Sequence, residues 1–282
     1  MATGLSAVQG YNSNSIPGLA MVGNDANVYD IDATQKWALG SQLTREDGAK
    51  FRYCSFIGAV TQGKLVAHIA ADVDNASTNA LVVAPSSTYQ QAIEQVGVYP
   101  GAIGSRFIVY TLASVIKDQF AGGYITTNLD TGVGYVYRIK GNTATGSGGV
   151  GAGNMLIELY DKIQVALDAT TDTGLIGSLY TDMKAATPAT DFITMGVTMA
   201  NMTAGTYGWI CTHGPCACLQ GSAATNGDII QIDITTAGAF QSMGVGTTNS
   251  FSTAAGLNIL GYLIQGATGG AAGYGLIWLQ LE

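Results

Sequence analysis

An all-β protein is what this sequence predicts. Charged residues make up 11% of the 282 positions and 39 positions are glycine against 5 proline, where an average soluble protein has about 25% charged residues and about 7% glycine. Stretches rich in Val, Ile, Tyr and Thr recur, each closed by Gly, Asn or Asp, while runs of strong helix formers are nearly missing. Short strands joined by glycine turns fit all three observations. The expected form is small β-sandwich or barrel-like units with an extended N-terminal arm.

At this length two or three compact units are expected. The sequence divides into an arm (1–26), an N-terminal β region (27–105), a middle β domain (106–186) and a C-terminal β domain (187–282). The arm carries one Pro, four Gly and a run of Asn and Ser, with no periodicity that would bury a face. It contains no basic stretch followed by an apolar one, so no secretory signal is expected.

After the arm, NVYDID (27–32) reads as a strand. FRYCSFIGAVTQGKLVAHIAA, Phe51 to Ala71, reads as two strands around a Thr-Gln-Gly turn. Residues 72–103 are polar and mixed, with a short helix expected from Ser87. The stretches RFIVYTL (106–112), GGYITTN (122–128), GYVYRIKGN (134–142) and NMLIELY (154–160) read as strands of one β unit. A composition shift at Thr187 to Asp191 marks the expected boundary. Beyond it ITMGVTMANM, YGWICTH, CACLQ, DIIQIDI, LNILGYLIQ and YGLIWLQLE supply about six more strands.

The segment TGSGGVGAG (145–153) contains a literal G-x-G-x-x-G from Gly146 to Gly151. That motif holds a dinucleotide only where the loop opens a helix whose N-terminus faces the pyrophosphate. Here MLIELYDKIQVAL follows, rich in strand formers, so a hairpin loop and no cofactor are expected. Between Ile234 and Leu281 no residue is charged. Glycines at 266, 269, 270, 273 and 275 break this stretch below the roughly 20 apolar residues of a spanning helix, and no membrane partner is expected. Eleven Lys plus Arg in a chain of net charge −8 form no basic patch for direct nucleic-acid binding.

Chemistry concentrates in TYGWICTHGPCACLQ (206–220). Cys211, His213, Cys216 and Cys218 place three of the four cysteines and one of the two histidines within eight positions. Read as a hairpin, Gly214-Pro215 forms a type II′ turn, Cys211 faces Cys218, and all four side chains share one face. Zinc would require donors converging at about 2.0–2.3 Å, whereas C-x-H and C-x-C pairs on a strand lie about 6.6 Å apart. A nucleophilic cysteine needs a base within hydrogen-bond reach, and His213 is too distant from Cys211 on a regular strand. A Cys211–Cys218 disulfide is sterically allowed but strands Cys216. Free, buried cysteines acting as small hydrophobes are the favoured reading, with no catalytic, cofactor-binding or metal residues assigned. Asp130, Asp161, Asp168 and Asp172 read as turn residues, and no calcium loop motif is present. Trp37, Trp209 and Trp278 read as core or interface packing.

Four segments carry a resemblance: GSQLTREDGAKFRY (40–53), DTGVGYVYRIKGN (130–142), LYDKIQVALDATTD (159–172) and TAGTYGWICTHGP (203–215). Their order and spacing resemble capsid decoration, or cement, proteins of tailed bacteriophages. They cover less than a fifth of the chain, and each is a strand with its turn. The resemblance implies a virion structural protein, made in the host cytoplasm and located on the capsid surface. Such a subunit would bind the major capsid protein, form a homotrimer with itself, and stabilise the shell without enzymatic activity. The composition also suits a tail or fibre subunit, or a secreted β-sandwich that binds or hydrolyses carbohydrate, which would display exposed aromatics beside paired carboxylates.

Overall fold

The computed structural model describes residues 27–68, 73–74, 100–168, 171–187, 193–243, 259–267 and 273–282. Among the described residues there are strands and no helix, as the composition predicts. In chain order they are β1 (Ile31–Asp32), β2 (Gln42–Thr44), β3 (Lys50–Ser55), β4 (Leu65–His68), β5 (Val73–Asp74), β6 (Phe107–Thr111), β7 (Tyr124–Leu129), β8 (Val136–Asn142) and β9 (Asn154–Leu159). There follow β10 (Asp172–Ile176), β11 (Met183–Ala185), β12 (Thr194–Thr198), β13 (Tyr207–Leu219), β14 (Ile229–Ile232), β15 (Phe240–Ser242), β16 (Gly261–Gln265) and β17 (Tyr274–Gln280). The expected arm and the helix at Ser87 lie outside the described residues.

Two compact units emerge, one within residues 70–179 and the other assembled from residues 1–69 and 180–282. This discontinuous division differs from the serial regions 27–105, 106–186 and 187–282. The reason is non-local pairing: β4 bonds to β12 and β3 bonds to β13, each antiparallel.

In the discontinuous unit an eleven-stranded sheet runs β11-β4-β12-β13-β17-β16-β14-β15, with β1 and β3 pairing onto β13 and β2 onto β3. It curls into half a barrel. On one of its faces Leu43, Phe51, Tyr53, Leu65, Trp209, Phe240, Ile277 and Leu279 form the main core. Trp209 meets Tyr53 edge-on at 5.2 Å between ring centres. A second cluster, with Cys54, Phe56, Val66, Met183, Met202 and Ile210, covers the opposite face of the sheet around β3, β4 and the first half of β13.

The other unit holds a six-stranded sheet, β5-β10-β7-β8-β9-β6, antiparallel throughout. Its core gathers Ile108, Tyr110, Ile125, Tyr137, Ile139, Ile157 and Leu159, alternate residues of their strands. The glycine loop 145–153 joins β8 to β9, which pair antiparallel. Five of its glycines adopt positive φ. It is a strand-to-strand connection, as its sequence predicts.

Candidate functional site

Strand β13 is a single run of thirteen residues through the expected turn. This corrects the hairpin reading: Gly214 does take positive φ, at 96°, but the chain continues instead of reversing. The first half, Tyr207 to His213, pairs with β3, and the second half, His213 to Leu219, pairs with β17 on the opposite edge. His213 is opposite both Lys50 and Gln280, so the strand passes from one partner to the other there. Pro215 sits just after the handover. The Leu219 N–H, four residues on and pointing the same way, reaches the Gly63 carbonyl at 2.7 Å and not β17. The donor that proline lacks is therefore missing from the side without a partner strand.

The handover contains a bulge, since Cys211 opposes Phe51 while His213 opposes Lys50. One extra residue reverses the side-chain phase. Before it, Trp209 and Cys211 point into the main core; after it, Cys216 and Cys218 do. Cys211 and Cys218 are consequently not cross-strand partners, and no disulfide links the four cysteines. His213 lies apart from them. Its ring makes an edge contact with Trp278, 5.9 Å between centres, and its Nδ1 is 3.0 Å from the Glu282 carbonyl. Cys211 Sγ donates to the His213 main-chain oxygen at 3.4 Å, not to the ring. No cysteine–histidine dyad forms on this strand.

Three thiols, those of Cys54, Cys216 and Cys218, are held in their protonated form. Cys216 is pushed well up by its side-chain hydrogen bond with Cys211 and by burial. Burial raises Cys54 and Cys218 as well. A thiol that resists ionisation is neither a nucleophile nor a ready metal ligand. Among the described residues no group of three or more His, Cys, Asp or Glu is placed to hold a metal ion.

Several other polar groups make structural contacts. Buried Asp32 accepts from Tyr53 Oη at 2.8 Å and pairs with Lys36 at 2.5 Å. Burial and this contact push the Tyr53 hydroxyl well above the ordinary tyrosine range. Asp168 accepts from Thr131 Oγ1 at 2.7 Å across two loops, and Asp130 takes a positive-φ turn conformation. Asp161 stands in the bend after β9. Asp172, expected in a turn, instead opens β10 opposite Leu129. Of the tryptophans, Trp209 is core, Trp37 packs on its margin, and Trp278 stands on the other face of the sheet.

That other face is the surface the sequence reading missed. Register places Ile229 beside Tyr262, Tyr262 beside Trp278, and Trp278 beside Pro215, one row across β14, β16, β17 and β13. Leu276 beside Ala217, and Tyr274 beside Leu219, continue it. Tyr262 and Tyr274 keep 46% and 49% of their surface exposed. None of these four strands carries a charged residue. The first half of β13, by contrast, is buried on both faces because the second cluster covers it. The available signal was the charge-free stretch 234–281, whose strands are apolar at successive positions and not only at alternate ones.

Beside Pro215 and Ala217 this face dips into a cleft of ≈ 390 Å³. Tyr29, Gln62, Met199, Tyr274 and Leu276 contribute walls, and among the described residues Arg45 is its only charged side chain. The Arg45 guanidinium lies 4.7 Å from the centre of the Phe51 ring.

No protein-family model, curated protein or solved structure matches the chain. Among the described residues no helix is long and apolar enough to cross a membrane.

Proposed function

We propose that this chain is a structural subunit of a tailed-phage virion. It decorates the outside of the capsid by binding the major capsid protein and further copies of itself, as a homotrimer, and performs no catalysis. The observation that carries this reading is the uncharged, aromatic and aliphatic row Ile229–Tyr262–Trp278–Pro215 on the open face of the sheet. Apolar patches of this kind are covered by partners in stable assemblies. The burial of the four thiols and the separation of His213 from them agree with a building block, and the four phage-like segments suggest the setting.

The test is reconstitution. Purified protein is mixed with capsids assembled without it and sedimented. Saturable binding at a fixed ratio to the major capsid protein is expected, and Tyr262→Glu should weaken it at least tenfold while leaving the near-ultraviolet circular dichroism unchanged. Capsids that pellet free of the protein would remove the proposal.

One observation favours carbohydrate binding as a second reading. In the unit within 70–179, Tyr124 stands opposite Arg138 on β7 and β8, and Arg138 lies 4.9 Å over the Tyr160 ring, making a partly exposed row of two tyrosines about a cation. Aromatic faces of this kind can stack on sugar rings. Retention on immobilised polysaccharide that is lost in Tyr124→Ala/Tyr160→Ala would support it.

A further inference from the structure

The cleft beside Pro215 joins an apolar wall to one positive charge. Among the described residues, Tyr29, Met199, Tyr274 and Leu276 line it, no acidic side chain does, and Arg45 makes no ion pair. Its volume of ≈ 390 Å³ lies within the range of specific binding sites, about 300–1,000 Å³. An occupant that fits presents apolar side chains next to a single carboxylate.

The chain's own sequence contains that pattern. Residues 1–26 hold one charged residue, Asp25, and it follows Leu19-Ala20-Met21-Val22. Tyr29, four positions later, lines the cleft. It is presented by a turn in which its N–H donates to Asn27 Oδ1 and Asn27 Nδ2 donates to Asp30, both at 3.1 Å.

We propose that the cleft receives Leu19–Asp25 from a second copy of this chain, with the Asp25 carboxylate meeting Arg45. The inference rests on the reading of the protein as a self-associating shell subunit. A second copy, and not the same chain, is the occupant because the cleft opens on the charge-free row. A segment folded back on its own cleft would fill the dip and leave Tyr262 and Trp278 uncovered, whereas a neighbour brings a surface along with its segment.

The test is a charge swap read by analytical ultracentrifugation with no capsid present. Wild type is expected to associate, and Asp25→Arg and Arg45→Asp are each expected to weaken association at least tenfold. An equimolar mixture of the two single variants should associate again, because every cleft then has a segment of opposite charge available from the other variant. Tryptophan emission of each variant checks that its fold is intact. A second measurement needs no variant: a blocked peptide Leu-Ala-Met-Val-Gly-Asn-Asp should dissociate the wild-type oligomer, and the same peptide ending in Asn should need at least tenfold more. A monomeric wild type, single variants that still associate, or a peptide without effect overturns the inference. So does rescue in the double variant but not in the mixture, which assigns the segment to its own chain. Capsid binding is measured separately. Binding that survives Arg45→Asp with association in solution unchanged removes the inference and leaves the proposed function standing, while charge-swap association without capsid binding does the reverse.

Discussion

Replacing Gly214 by alanine tests the backbone course of β13 just past its bulge. At φ of 96° a residue with a Cβ is strained by about 1–2 kcal/mol. The added carbon would lie 2.9 Å from Ala49 Cα and 3.0 Å from Ala49 Cβ, an overlap in a packed core worth about 1–3 kcal/mol. Loss of glycine's freedom in the unfolded chain returns about 0.4–1 kcal/mol. The net expectation is a destabilisation of about 2–4 kcal/mol. Gly205→Ala is the control, because φ there is 77° but nothing lies within 4 Å; it should cost about 1 kcal/mol or less. Urea unfolding followed by tryptophan emission suits both, since Trp37, Trp209 and Trp278 all belong to the discontinuous unit. At an m-value of about 2 kcal/mol per molar, Gly214→Ala should lower the midpoint by about 1–2 M. A midpoint within about 0.2 M of wild type would show that the backbone at 214 is unstrained. The positive-φ course of β13 at Gly214, and its close approach to Ala49, would then be wrong.

Three further outcomes are expected. Stability of the same unit should be full below about pH 9 and fall steeply above it, because the unfolded chain releases thiol and phenol protons from 9.0 and 10.0 upward while folded Cys54, Cys216, Cys218 and Tyr53 hold theirs; each such group removes about 1.4 kcal/mol per pH unit, and urea midpoints that stay flat from pH 8 to 10.5 would refute this. A thiol reagent at pH 8 should leave native protein unlabelled and modify four cysteines only on denaturation; stoichiometric labelling within minutes would contradict the burial of these side chains. Asp233→Ala should cost about 2–4 kcal/mol, since the buried carboxylate accepts from Thr235 N and Thr235 Oγ1, both at 2.8 Å, and from Thr236 N at 2.6 Å; a change below about 0.5 kcal/mol in urea unfolding would show that these donors find water instead.

Local chemistry by itself determined the class of this protein. β-branched and aromatic runs closed by glycine specify strands wherever they lie, so the strands of the middle region and the hairpin loop 145–153 are legible residue by residue. A strand's pattern states which face is buried and leaves its partner open, and for that reason the pairing of β3 and β4 with strands more than a hundred residues later could not be read. Gly214-Pro215 shows the same limit at one site. A positive φ followed by proline serves a II′ turn and a continuing strand equally well, and the choice depends on which edges are free. Here β3 occupies one edge of β13 and β17 the other, so the chain gains more ladder by running straight than by reversing on itself. That tertiary choice, and the phase change it carries, set Cys211, Cys216 and Cys218 in the core, turned His213 to the opposite side, and left the uncharged second half of β13 facing outward beside Arg45.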